Sequence, residues 1–72
     1  MQNKFNLTER QREIFDYMVL HYKASGMTPT QRDTAEHFNV SQATIAKHLA
    51  AIEKRGWIQR ASGMKNAMSI LE

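Results

Sequence analysis

The side chains best equipped for chemistry lie in one stretch, SQATIAKHLAAIEKRG, from Ser41 to Gly56. Gln42 carries an amide, Lys47 a cation, and Ser41 and Thr44 hydroxyls, with Ala43, Ala46 and Ala50 spaced among them. Nothing in the stretch places a nucleophile beside a base, so the set suits recognition rather than bond-making. Gln42 can make paired hydrogen bonds to adenine, Lys47 can reach the acceptors of guanine, and alanine methyl groups can meet the methyl of thymine. A helix carrying such residues approaches base edges closely in a major groove about 12 Å wide because its small side chains keep nothing between backbone and base. Ser41 and the free amides at the helix start suit a phosphate. The other reading of the alanines is that they serve helix propensity alone.

The remaining polar residues are less specific. Arg60 and Lys65 read either as phosphate or minor-groove contacts or as solvated charges of a hairpin. Lys54 and Arg55 close a helix, where cations favour the dipole in any case. Thr28 and Thr30 flank Pro29 and can hydrogen-bond phosphate, although a capping role alone explains Thr30. His21, His37 and His48 are scattered and no cysteine joins them, so neither a metal site nor a disulfide is expected. Trp57 is expected to be packed, with base stacking as the alternative. No catalytic residue, cofactor or small-molecule ligand is indicated, and the chain reads as a non-enzyme.

Charge is unevenly placed. Residues 1–40 hold five cations and five acids, whereas residues 41–72 hold five cations and two acids, so the whole net charge of +3 sits in the second part. That is where a polyanion would be met. No apolar run reaches the roughly 20 residues a membrane span needs, and the start, MQNKFNLTERQRE, lacks the apolar core of a secretory signal. A soluble, cytoplasmic protein is the expectation.

The elements that must position these groups can be read from caps and periods. TERQ predicts a first helix over about 8–25, with Thr8 as cap and Gln11 reaching back to it. Leu7, Ile14, Met18 and Tyr22, with Phe15 beside them, form its inward stripe, and Gly26 ends it. MTPT should be extended, either as a plain connection or as a very short edge strand. Thr30 caps a second helix over about 31–38 whose Ala35 and Phe38 face inward, and Asn39 takes the positive φ of a tight turn. Ser41 caps a third helix over about 42–55, held by Ile45, Leu49 and Ile52 and stopped by Gly56. WIQRA and AMSIL then alternate around SGMKN, predicting a hairpin over about 57–71 with Ile58 set against Met68 and Ile70. The fold class is therefore mainly α with a small β-hairpin, one winged helix-turn-helix domain over residues 1–72.

TERQREIFDYM, GMTPTQRDTAEHFNVS, HLAAIEKRGWI and SGMKNAMSIL together resemble the N-terminal DNA-binding domain of the LexA repressors, from about Leu7 to Leu71. The resemblance implies a winged helix-turn-helix that binds operator DNA as a dimer. It places the contacts at the start of the third helix, Ser41 to Lys47, supported by the wing around Lys65. The family's self-cleaving C-terminal domain, which dimerises it, is not expected in this chain, so autoproteolysis does not carry over. The family's polar and acidic base-reading positions fall here on Ala43, Ala46 and Lys47, which implies a different operator. Double-stranded DNA is thus the expected partner and transcriptional repression the expected role, and the resemblance implies a protein of bacterial or phage type associated with the nucleoid.

The first helix adds an expectation of its own. A core face centred on Ile14 and Met18 turns Val19 and Leu20 outward, where with Tyr17 and Phe15 they form a patch for a homodimer contact. Alternatively these residues meet another protein, which would make the chain an interaction adaptor, or pack against Phe5.

Overall fold

The computed structural model describes residues 6–60 and 68–70. Three helices, α1 (Glu9–Ser25), α2 (Gln31–Phe38) and α3 (Gln42–Lys54), precede an antiparallel pair, β1 (Ile58–Arg60) and β2 (Met68–Ile70). Each helix starts at a hydroxyl. Thr8 accepts from the Gln11 amide at 3.2 Å while Gln11 Oε1 accepts from the Thr8 amide at 3.0 Å, which is why this glutamine can be buried. Thr30 and Ser41 accept from the amides of Asp33 and Thr44. Such caps each contribute about 1 kcal/mol.

The helix ends use left-handed residues. Gly26 closes α1 at φ 79° and donates to the Tyr22 carbonyl at 2.7 Å. Asn39 closes α2 at φ 56°, and the Val40 amide returns to the Ala35 carbonyl at 3.0 Å. This turn lets α3 leave α2 at once and pack back on the core. α3 itself ends at Lys54, one residue sooner than its period predicts, with Arg55 as cap.

The core is built from Ile14, Phe15 and Met18 of α1, Ala35 of α2, Ile45, Leu49 and Ile52 of α3, and Ile58 of β1. Leu7, Val19, Phe38, Val40, Trp57 and Ile70 pack around it. Ile58 pairs directly with Ile70, while Met68 stands opposite Arg60. Trp57 is packed, with its ring edge-on to Phe15 at 5.2 Å.

Three expectations need correction. Residues 27–30 form no strand; their path is fixed by side chains instead. His21 Nδ1 lies 3.0 Å from the Met27 carbonyl, where its N–H donates, and Ser25 Oγ donates to the His21 carbonyl at 2.8 Å. Pro29 is buried and has no amide to offer a sheet. Tyr22 is 49% exposed rather than inward, because the α1 residues that reach the core extend only to Val19. The outward patch of α1 also dissolves: Phe15 is buried, Val19 packs against the core, and Tyr17 stacks on His37 at 4.1 Å. Only Leu20 remains well exposed, at 69%, and one exposed aliphatic is ordinary. Phe5, Lys65 and the turn between the strands lie outside the described residues.

Candidate nucleic-acid interface

Burial of Ile45, Leu49 and Ile52 fixes the rotation of α3 about its axis. At about 100° per residue, positions 43, 47, 50 and 54 then fall within an arc of roughly 60° on the opposite side. Ala43, Lys47, Ala50 and Lys54 are all exposed, as is Gln42. Thr44, Ala46 and His48 are half-buried on the two flanks. The helix therefore presents a ridge of two methyl groups and two ammonium groups, with nothing bulky between them.

Hydroxyl geometry at the head of α3 refines the roles. Ser41 Oγ accepts from the Thr44 amide at 3.1 Å and donates to Thr44 Oγ1 at 3.0 Å. The serine proton is thus committed, and the hydrogen left for an outside acceptor is that of Thr44. Thr30 differs. Its Oγ1 accepts from the Asp33 amide at 2.9 Å, so capping leaves its own proton unused. Capping and phosphate binding are compatible at Thr30. Thr28 and Thr30 are both half-buried, on the link that His21 and Ser25 hold in place.

Electrostatics point to the same helix, although Lys23 of α1 is likewise exposed and without an ion pair among the described residues. On α1 and α2, Arg10 pairs with Glu13 at 3.2 Å, Arg12 with Asp16 at 3.3 Å, and Arg32 with Glu36 at 3.7 Å. These exposed pairs contribute little stability, yet each cancels a positive charge locally. Among the described residues, Lys47 and Lys54 form no such pair, and the first turn of α3 contains no acid. The surplus charge of the second part of the chain is therefore displayed in part on the α3 ridge.

The candidate residues are not all brought together. Ser41, Gln42, Ala43, Thr44, Ala46 and Lys47 share the amino-terminal part of α3. Arg60 lies on β1, with its side chain outside what is described, as is Lys65. Tyr17, Val19 and Leu20 belong to α1. One tie was invisible to sequence reasoning: Arg55 Nε donates to the Asn6 carbonyl at 3.2 Å, joining the end of α3 to the chain before α1. A contact across 49 residues has no local signature. Groups of three or more residues fit to hold a metal are absent among the described residues, and no described helix is long and apolar enough to cross a membrane.

The family model for the LexA DNA binding domain matches residues 4–67. The chain is 35% identical over 65 residues to LexA repressor 2 of Geobacter sulfurreducens, covering 89% of this chain and 32% of that protein. It is 38% identical over 63 residues to the LexA repressor of Verrucomicrobium spinosum, covering 86% and 31%, and 34% identical over 65 residues to that of Thermotoga maritima, covering 90% and 33%. It spans about a third of the length of these relatives. The α2–turn–α3 geometry, the hairpin that follows it and a match over most of the sequence agree, and the chain belongs to the LexA DNA-binding domain family.

Proposed function

We propose that residues 1–72 act as one winged helix-turn-helix unit that binds double-stranded DNA sequence-specifically and represses transcription. α3 enters the major groove along its small-residue ridge, and the hairpin meets the flanking backbone. The observation that carries this reading is the α3 ridge itself: exposed, free of acids, and carrying lysines that form no ion pair among the described residues. Around the amino end of α3, Gln42, Thr44 and Lys47 supply polar contacts, Ala43 and Ala46 apolar ones, and Thr28, Thr30, Arg60 and Lys65 the backbone contacts. The protein is a non-catalytic one that works on DNA in the bacterial cytoplasm.

Two copies occupy a pseudo-palindromic site in this reading, with half-sites about 10 base pairs apart or a multiple of that. Val19 and Tyr17, already engaged within the fold, give no support to α1 as the pairing surface or as an adaptor surface. Selection of binding sites from a random duplex pool tests the proposal. A recovered motif with two related halves supports it; a pool that stays random through repeated rounds overturns sequence-specific binding.

A further inference from the structure

Lys54 and Arg55 are adjacent cations at the end of α3, and the helix dipole alone would explain both. The structure separates them. Arg55 is half-buried and its guanidinium is committed to the Asn6 carbonyl at 3.2 Å, so it fastens the end of α3 to the chain before α1. Lys54 is exposed and stands on the same outward line as Ala43, Lys47 and Ala50, seven residues beyond Lys47 and so about 10 Å further along the axis.

Helix length gives that position a meaning. The 13 residues of α3 extend about 20 Å, whereas the major groove is about 12 Å wide. With the amino end seated on base edges and the axis inclined across the groove, the carboxyl end passes out of the groove and over a phosphate strand. We propose that Lys54 is a sequence-independent phosphate contact at this exit, extending the α3 footprint over the whole helix, while Arg55 is a structural tie that does not touch DNA. The inference rests on the DNA-binding reading and adds to it a contact at the far end of the helix. The charge fits: Lys54 has no ion pair among the described residues, and phosphate is the anion that a duplex presents at that place.

The test measures affinity against salt for the full chain on its selected duplex and on a random duplex. Each phosphate contact contributes about 0.9 to the slope of log affinity against log salt. Lys54→Gln should flatten the slope by about that amount on both duplexes, so that the wild type loses about 3.5-fold more affinity than the variant over a fourfold rise in salt. Lys54→Arg should keep the wild-type slope. Arg55→Gln should also keep it while lowering the melting temperature. A Lys54→Gln protein that melts normally and retains the wild-type slope overturns the assignment of Lys54 and leaves the DNA reading standing. A flattened slope in Arg55→Gln overturns the separation of the two cations. A wild type with no salt-dependent duplex binding overturns both the DNA reading and this inference.

Discussion

Ser41 spends its one hydroxyl hydrogen on Thr44, and this small fact redistributes the work at the head of α3. The serine caps and orients; the threonine, stiff about χ1 because it is β-branched, carries the free donor and a methyl group. Thr44→Val keeps shape and methyl but removes the oxygen. It should weaken binding to the selected duplex while the melting temperature holds. Ser41→Ala removes the cap as well, so it should cost about 1 kcal/mol of folding stability in addition to affinity. Equal affinity in wild type and Thr44→Val, measured by titration, would remove the threonine from the interface. Gln42 and Lys47 make a sharper case, because their chemistry distinguishes bases. Gln42→Ala and Lys47→Ala should each weaken the selected site by roughly 1–3 kcal/mol more than a random duplex. Loss of the same size on both duplexes would mean that these side chains meet phosphate rather than bases.

At the scale of elements, what could be read from the sequence was what the chain decides locally. Thr8, Thr30 and Ser41 cap because a hydroxyl accepts from an amide three residues on, and Gly26 and Asn39 close helices because they tolerate a positive φ. The periods that buried Ile14, Met18, Ile45, Leu49 and Ile52 are equally local, and so is the outward ridge that burial of the last three leaves on α3. Tyr22 and Val19 were misread because their burial depends on where α1 stops touching its neighbours, not on their spacing. The strand expected at 27–30 failed for a related reason: a strand needs a partner, and here His21 and Ser25 hold the backbone instead. Gly26 offers a test of the local part. A Cβ there would meet nothing within 4 Å, so its constraint is the φ of 79° alone. Gly26→Ala should therefore cost about 1 kcal/mol, or a fall of about 4–8 °C in melting temperature. Gly26→Asn should cost less, since asparagine already occupies this conformation at residue 39. Equal losses in thermal melts of the two variants would show that something other than φ governs the position.

For the whole molecule, the helix proposed as the interface is also part of the core, so in that reading folding and binding are linked. Ile45, Leu49 and Ile52 secure α3 from inside while its opposite ridge is offered outward. A chain of 72 residues has a folding stability of only about 4–11 kcal/mol at 0.05–0.15 kcal/mol per residue. Ile52→Ala, which empties part of that core, should remove about 2–5 kcal/mol and leave the unbound chain near its limit. Whatever binds only the folded form gives stability back: a duplex at 100 times its dissociation constant returns about 2.7 kcal/mol. The selected duplex should therefore raise the melting temperature of Ile52→Ala by about 10–20 °C. A random duplex at the same concentration, a much smaller multiple of its own larger dissociation constant, should raise it much less. Thermal melts with each duplex decide the matter. If the two duplexes act alike, the ridge discriminates nothing. If neither moves the transition, α3 does not bind DNA in the folded state, and the connection between its buried and exposed faces is structural only.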